Sequence, residues 1–381
     1  MRILSYFFIS FYYINCVTPF VNLILENDKL KNEKKTTYIY GHINPDSDTI
    51  ISSIVVADLQ KKMGNTNNLV PCRLGELNKE TQFVLNFFKV DAPMLITDLS
   101  GADEVILVDH NAPSQSLDFQ NANIVGLIDH HAITGFETSN PIEIITKPVG
   151  CTCTILYELY KQHNITMTET IAGLMLSAII SDTLLLKSPI TTQLDIEAVE
   201  FLSEYIRMDY FTYGRSMLIA GTDVSDLTEY QIIDFDSKNF KVNGYSIQIA
   251  FVNSVDVNSI LKYRKGKLLE EMNKMIDNKN LQLFVLVIVD ILEMDSTALV
   301  TGSYSYVVET AFTVEIVDNE VFLKGITSRK KEVYPNIANV LKDLPEYSSG
   351  TNSTDNADNV NNSHSQIKFN NLVYLVLLLL I

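Results

Sequence analysis

Three side chains that can bind metal ions lie within the short segment GHINPDSD, near the start of the chain. They are His42, Asp46 and Asp48. Imidazole and carboxylate groups together suit Mn²⁺, Co²⁺, Fe²⁺ or Zn²⁺ better than Ca²⁺. Two Asp residues separated by a single residue can each reach a different ion. The segment therefore indicates a metal site, with ligands for a pair of ions.

Three further segments carry the same kinds of side chain after apolar runs. They supply Asp109 and His110 after EVILV, Asp129, His130 and His131 after NIVGLI, and Asp182 after IAGLMLSAIIS. A single Asp at the end of a strand often caps the next helix, so one of these residues alone would carry no argument. The chain has six His, and four of them lie in these loops beside Asp. The set as a whole predicts a metal centre assembled from four segments.

The apolar runs that precede these residues predict the elements that position them. TYIY, LVPCRL, EVILV and NIVGLI are strand candidates, and the last two are short, rich in Val and Ile, and apolar on both faces, as parallel strands covered by helices are. Helical patterns such as ISSIVVADLQKKM and KETQFVLNFF lie between some of them. This alternation predicts a doubly wound α/β domain with a parallel sheet. Ligands bind beyond the carboxyl ends of the strands in such sheets, where the His and Asp residues fall.

The composition changes after Thr222, which indicates a second, smaller α/β domain at about 226–343. TEYQIIDFDSKNFKVNG is polar and we expect it to be rich in turns; strand-like IQIAFV, helix-like LLEEMNKMI and apolar LQLFVLVIVDIL follow. The last run is too short to cross a membrane and contains Asp290, so it predicts a buried central strand. The linker between the domains would lie near AGTDVSD.

Charge and cysteine content exclude some functions. The formal net charge is −17, which argues against nucleic acid as a major partner. An acidic chain can still bind a small anion if metal ions and a few local cations reverse the charge of the site. Cys151 and Cys153 are too close in sequence for an ordinary disulfide. We expect Cys72, Cys151 and Cys153 to be small buried residues.

The two ends of the chain suggest processing and export. Residues 1–25 predict a secretory signal peptide or an apolar leader. Residues 346–371 predict a disordered polar spacer, and the apolar tail 372–381 is too short to span a bilayer. Spacer and tail together are typical of a glycosylphosphatidylinositol-anchor signal, with an unprocessed tail as the alternative. On this interpretation the protein is secreted or membrane-anchored at the surface.

GHINPDSD, VDHN and IDHH, in that order, resemble the DHH phosphoesterase superfamily, and within it the family II, manganese-dependent inorganic pyrophosphatases. VPCRLGELNKETQ, KPVGCTCTILYELY and GITSRKKEVYP are similar to that family as well, so the resemblance covers about 37–340. It implies an N-terminal DHH domain at 36–221 and a DHHA2-type domain with a mixed sheet at 226–343. It further implies an active site in the cleft between them, a homodimer and, as the family default, a cytoplasmic location.

The resemblance also implies a ligand set for two Mn²⁺ ions, with Co²⁺ as an alternative metal. His42 and Asp46 would hold the first ion, Asp48 and His130 the second, and Asp109 and Asp182 would contact both, with Asp109 as the favoured bridge. His110 and Asp129 would orient these ligands and fix the imidazole tautomers.

The same resemblance implies that the chain hydrolyses pyrophosphate to two phosphates through a metal-bridged hydroxide, with Mg²⁺ arriving on the substrate. His131 would lie beside the substrate phosphate, and Lys238, Arg329 and Lys330 would bind it, so that these four and Asp109 form the catalytic set. Arg offers a planar fork and Lys a point charge, which together can orient a tetrahedral anion.

Two alternatives remain open at this point. The first is an exopolyphosphatase or short-chain polyphosphate hydrolase of the same superfamily, whose members tend to lack the His that stands as His42. Nuclease branches carry a GGGH-type motif, which this sequence lacks. The second is a non-catalytic surface binding module, which would predict broken ligand positions, whereas every expected ligand is present.

Overall fold

The computed structural model describes residues 34–119 and 122–348, and this part of the chain divides into two compact units. The first contains the described residues up to Glu76, together with Val90–Ile179 and Thr192–Ile206. The second contains Leu77–Lys89, Ile180–Thr191 and the residues from Arg207 onward. The predicted leader, the apolar tail and the spacer from residue 349 lie outside the described residues.

Ten α-helices and eleven strands in the described residues are numbered along the chain. The helices are α1 Ser47–Lys62, α2 Lys79–Phe88, α3 Thr152–Gln162, α4 Glu169–Asp182, α5 Gln193–Tyr205, α6 Tyr210–Gly221, α7 Glu229–Phe235, α8 Val257–Lys279, α9 Tyr306–Phe312 and α10 Tyr334–Asp343. The strands are β1 Thr36–Tyr40, β2 Asn68–Arg73, β3 Met94–Leu95, β4 Glu104–Val108, β5 Ile124–Asp129, β6 Glu143–Thr146, β7 Ser237–Val242, β8 Tyr245–Ser254, β9 Leu283–Asp290, β10 Asp295–Thr301 and β11 Glu320–Leu323.

The first unit is built on a six-stranded sheet in the order β3-β2-β1-β4-β5-β6, and all five strand pairings are parallel. The predicted doubly wound parallel sheet is therefore confirmed. The strand order reverses between β1 and β4, which is where such sheets open a crevice for ligands at their carboxyl edge. The strands that end at this point are followed by Gly41-His42 and by Asp109.

Helix α1 leaves this edge and packs against β1, β2, β4 and α3. It begins after Asp46, whose side chain accepts a hydrogen bond from the Thr49 N–H group and so caps the helix. Ile50, Ile51 and Val55 are fully buried. Burying each of these side chains contributes about 1.5–3 kcal/mol, which holds α1 against the sheet.

The second unit contains a five-stranded mixed sheet in the order β11-β10-β9-β8-β7. Strands β8 and β9 are parallel and are joined by helix α8, as a parallel crossover requires, and the other pairs are antiparallel. Strand β9 lies at the centre and is buried over Leu283–Val289, which confirms the prediction for LQLFVLVIVDIL. Among the described residues, no helix has the length and apolarity to cross a membrane.

The segment 228–244, which was expected to be rich in turns, is mostly regular structure. It forms α7 and β7, and only Asn243-Gly244 makes the hairpin turn into β8, with φ of 48° and 82°. A capping box between Thr228 and Gln231 starts α7. The expectation was wrong because burial of Ile232 and Ile233 in the core of the second unit outweighs the local polarity.

Candidate metal centre

The predicted ligands of the first unit come together at the crevice between β1 and β4. Ligand atoms of His42, Asp46 and Asp109 all lie within 4.8 Å of one another, and so do those of Asp109, His130 and His131. The two groups share Asp109. The loops after β1, β4 and β5 therefore place their side chains at one edge of the sheet, as the parallel arrangement predicts.

Asp109 lies at the centre of the cluster and is 1% exposed. Its Oδ2 atom lies 3.5 Å from His42 Nε2, and its Oδ1 atom lies 3.4 Å from His130 Nε2. Each oxygen thus faces a different imidazole. A carboxylate in this arrangement would be able to serve as a shared ligand for two divalent ions.

The backbone at Asp109 is left-handed, with φ of 57°. Asp and Asn tolerate this conformation better than other residues with a side chain. The Asp109 N–H group donates to the Ile128 carbonyl at 2.9 Å, so β5 holds the turn in place. This contact fixes the backbone from which the Asp109 carboxylate projects.

The first group is completed by the residues of the β1–α1 loop. His42 Nε2 lies 3.2 Å from Asp46 Oδ2. The other oxygen of Asp46, Oδ1, accepts the Thr49 N–H at 2.9 Å. Asp46 therefore uses one oxygen to cap α1 and presents the other to the imidazole.

Asp48 is fully buried and is held by the first turn of α3. Its Oδ2 accepts the Thr152 N–H at 2.7 Å, and its Oδ1 accepts the Cys153 N–H at 3.1 Å and the Ser52 hydroxyl at 2.9 Å. The helix dipole adds positive potential at this end of α3. These contacts partly offset the cost of burying an ionised carboxylate at a site that water does not reach.

The imidazole of His130 is oriented by the backbone. Its Nδ1 lies 3.0 Å from the Val149 carbonyl. A neutral ring that donates from Nδ1 leaves the lone pair of Nε2 available for a metal ion. Asp182, the last residue of α4, belongs to the second unit.

Asp129 and Asn111 position His131. Asp129 Oδ1 accepts the His131 N–H at 3.1 Å and lies 2.9 Å from its Nδ1, while Asp129 Oδ2 accepts the Asn111 amide at 2.6 Å. Sequence reasoning missed Asn111, although it directly follows the DH pair of VDHN. His110 donates from Nδ1 to the Val108 carbonyl at 2.9 Å. This contact involves no predicted ligand, so the role of His110 in orienting ligands stays a prediction.

Hydrogen bonding shifts the pKa values of the cluster. Burial lowers the pKa of His130, but the hydrogen bond to Asp109 and the charges of Asp109 and Asp48 together outweigh burial and raise the pKa to about 10. For His42, burial likewise opposes protonation, while the charges of Asp46 and Asp109 hold the pKa well above its ordinary value. Burial and the charge of Asp109 raise the pKa of Asp48 to about 6.

These imidazolium and carboxylate groups neutralise one another. Divalent ions would supply the same positive charge in place of the protons, so the donor set fits such ions.

The predicted phosphate-binding cations lie in the second unit. Arg329 Nη1 donates to the Asp236 carbonyl at 2.7 Å, and Nη2 donates to Asp236 Oδ1 at 2.6 Å. Lys238 follows two residues later, at the exposed start of β7. Lys330 is exposed in the turn Arg329–Val333, which begins after Ser328. Asp236 was not predicted, because its contact with Arg329 joins segments far apart in sequence.

The sheet order and the imidazole–carboxylate cluster define a doubly wound α/β protein with a divalent-metal centre. Comparison with known proteins identifies two matching domains: the DHH family N-terminal domain over residues 36–179 and the DHHA2 domain over residues 215–340.

Three relatives are similar over nearly their whole length. A probable manganese-dependent inorganic pyrophosphatase of Brevibacillus brevis is 47% identical over 314 residues, covering 82% of this chain and 100% of the relative. The manganese-dependent inorganic pyrophosphatase of Bacillus subtilis is 45% identical over 307 residues, covering 80% and 98%. The solved structure of a putative family II inorganic pyrophosphatase of Methanococcus jannaschii is 39% identical, with a TM-score of 0.52, and covers 80% and 99%.

The chain therefore belongs to the family of manganese-dependent inorganic pyrophosphatases, which confirms the resemblance seen in its motifs.

Proposed function

We propose that the protein hydrolyses inorganic pyrophosphate to two phosphate ions. One observation carries the proposal: the buried carboxylate of Asp109 faces His42 with one oxygen and His130 with the other, in a chain of this family. A carboxylate placed in this way is suited to act as a ligand shared by two metal ions.

The proposed metals are two Mn²⁺ ions. His42 and Asp46 would hold one, Asp48 and His130 the other, and Asp109 and Asp182 would contact both. Nitrogen and oxygen donors of this kind suit Mn²⁺. Ions bound there supply positive charge that offsets the charge of phosphate oxygens and makes water more acidic.

Four residues would bind and orient the substrate: His131, Lys238, Arg329 and Lys330. Asp129 holds Nδ1 of His131, so Nε2 of this half-exposed ring points away from Asp129 and is able to contact a phosphate oxygen. We expect Lys238, Arg329 and Lys330 to bind the phosphate groups. A guanidinium group has five N–H donors, and Asp236 accepts only two of them in the described contacts, which leaves donors for a phosphate.

Electrostatics explains why these groups matter for the reaction. Pyrophosphate is a small, highly charged anion, and an attacking hydroxide is repelled by it. Cationic side chains that are held in place before the substrate arrives offset this repulsion without reorganising during the reaction. Most of the rate acceleration would then come from positioning and charge, as in other phosphoryl transfers.

Several finer features stay predictions. These are Mg²⁺ arriving with the substrate, Co²⁺ as an alternative metal, domain limits at 36–221 and 226–343, the homodimer, and membrane association through a lipid anchor. Mass spectrometry of the mature termini would test the anchor, and size-exclusion chromatography with light scattering would test the dimer.

A phosphate-release assay tests the proposed function. The full chain, loaded with Mn²⁺, is offered pyrophosphate, tripolyphosphate and a cyclic dinucleotide in separate reactions. We expect the highest kcat/KM for pyrophosphate. Faster release from tripolyphosphate would identify a polyphosphate hydrolase instead, and no turnover of any of the three would favour a binding module.

A further inference from the structure

Two fully buried threonines contact the ligand carboxylates in the same way. The Thr49 N–H donates to Asp46 Oδ1 at 2.9 Å, and the Thr49 hydroxyl donates to Asp109 Oδ2 at 2.6 Å. The Thr152 N–H donates to Asp48 Oδ2 at 2.7 Å, and the Thr152 hydroxyl donates to Asp109 Oδ1 at 3.2 Å. Each threonine thus joins one outer carboxylate to the oxygen of Asp109 on the same side of the cluster.

We propose that Thr49 and Thr152 are positioning residues that hold Asp109 in the orientation needed to bridge two metal ions. The inference rests on the proposed two-metal site. Rotation of the Asp109 carboxyl group about its Cβ–Cγ bond would break both hydroxyl contacts at once. The pair therefore fixes the plane of the carboxylate, with one oxygen towards His42 and the other towards His130.

The local structure explains why threonine stands at both positions. Each residue lies in the first turn of a helix, α1 or α3, where backbone N–H groups have no partner within the helix and are free to bind a carboxylate. The β-branched side chain restricts χ1, so the hydroxyl is held in a fixed direction. A single residue type thereby supplies two donors in a rigid arrangement.

Gly41 provides independent support for the role of Thr49. A Cβ atom at Gly41 would lie 2.5 Å from Thr49 Cγ2 and 2.9 Å from Thr49 Oγ1. Distances this short are incompatible with the observed side-chain position. The glycine at the end of β1 thus leaves the space in which the Thr49 hydroxyl reaches Asp109.

A purely structural explanation is that the hydroxyls only satisfy a buried carboxylate. In that case their loss would lower the stability of the fold without changing how two bound ions interact. A positioning role predicts instead that loss of the hydroxyls changes the interaction between the two bound ions, because the shared oxygen atoms set the coupling between them. The magnetic interaction of two Mn²⁺ ions distinguishes these explanations and does not depend on turnover.

The test uses the full chain with Thr49→Val and Thr152→Val, which remove the hydroxyl and keep the backbone N–H. Mn²⁺ affinity is measured by equilibrium dialysis, and electron paramagnetic resonance detects exchange coupling between bound ions. We expect each variant to bind Mn²⁺ about 10–100-fold more weakly than the wild type, with a reduced coupled signal. Thr49→Ser and Thr152→Ser, which keep the hydroxyl but lose the β-branch, should retain most of the Mn²⁺ affinity and of the coupled signal.

Thr154→Val is the matched control. Thr154 lies in α3, the same helix as Thr152, and its hydroxyl donates to Asp195 Oδ1 at 2.6 Å. Thr154 and Asp195 are both fully buried. Loss of the Thr154 hydroxyl removes a comparable hydrogen bond away from Asp109, so the coupled signal should persist. Gly41→Ala is a second test of Thr49 that keeps every donor, and it should weaken the coupling by displacing the side chain.

The outcomes separate this inference from the proposed function. If the wild type binds two coupled ions and hydrolyses pyrophosphate, but the valine and Gly41→Ala variants keep the wild-type signal, the positioning role is wrong and the function stands. An equal loss of coupling in Thr154→Val would likewise overturn the positioning role. A wild type that binds no Mn²⁺ overturns both proposals.

Discussion

Loading the site with Mn²⁺ should release protons. In the metal-free protein the pKa of His130 is raised to about 10 and that of His42 lies well above its ordinary value, so both rings are protonated near neutral pH. Both must become neutral to bind a metal ion. Asp48, with a pKa of about 6, is already mostly ionised and contributes little. We expect about two protons to be released for each loaded chain.

The sign of the pH dependence follows from this exchange. Protons compete with the ions below the raised pKa values, so the apparent Mn²⁺ affinity should increase as the pH rises towards them. Release of two protons gives an apparent association constant that grows by up to about 100-fold per pH unit. Fewer bound protons, and therefore a shallower dependence, are expected as the pH approaches the pKa of His130.

Isothermal titration calorimetry measures the number of released protons. Mn²⁺ is titrated into the metal-free chain in several buffers of equal pH but different ionisation enthalpy, and the slope of observed against buffer enthalpy gives the proton number. His130→Gln should reduce the slope by about one. His163→Gln is the control. His163 caps the C-terminus of α3, whereas Thr152 begins this helix, so the substitution should leave the slope unchanged.

A wild-type slope near zero with normal Mn²⁺ uptake would refute the reasoning. It would mean that the ions displace no imidazole protons, and hence that His42 and His130 are not the ligands. An unchanged slope in His130→Gln would remove that residue alone from the ligand set.

Three further predictions concern single side chains. Asp109→Asn keeps the shape of the side chain but removes its charge, so pyrophosphate turnover should fall at least about 100-fold in a phosphate-release assay; near-normal turnover in Mn²⁺ would contradict the bridging role. Asp236→Ala removes the partner that orients Arg329, and the KM for pyrophosphate should rise about tenfold in steady-state kinetics, whereas an unchanged KM would argue against Arg329 as a phosphate ligand. Leu286→Ala in the fully buried strand β9 should cost about 2–5 kcal/mol in urea unfolding, while Phe322→Ala on the exposed side of β11 should change stability by less than about 1 kcal/mol, and equal losses would contradict the assigned core.

The location of the candidate site could be predicted from sequence because it follows from local pattern. EVILV and NIVGLI are short and apolar, and the Asp and His residues come directly after each run. Parallel strands end at the same edge, so the grouping of Asp109 and His130 required no knowledge of distances. The mixed second sheet was an expectation from the family resemblance, since the pattern of its apolar runs did not show which strands would pair parallel and which antiparallel.

The contacts that hold the ligands could not be predicted in the same way. Thr152 and Asp109 are 43 residues apart, and no local pattern connects them. Asp236 and Arg329 are 93 residues apart. The helix α7 was missed for a related reason, because the packing of its two isoleucines in the core decides its structure and the surrounding polar residues suggested turns.

The left-handed backbone at Asp109 limits how this position can evolve. Any residue placed there must accept a φ of 57° as well as serve the metal centre. Glu keeps the charge but is disfavoured by the torsion angle, while Asn and Gly accept the torsion angle and lack the charge. Aspartate is thus the residue that meets both conditions, and the substitutions most compatible with the fold are ones that silence the site. Inactive descendants of this protein would then be expected to keep a well-folded first unit, with Asn or Gly at position 109.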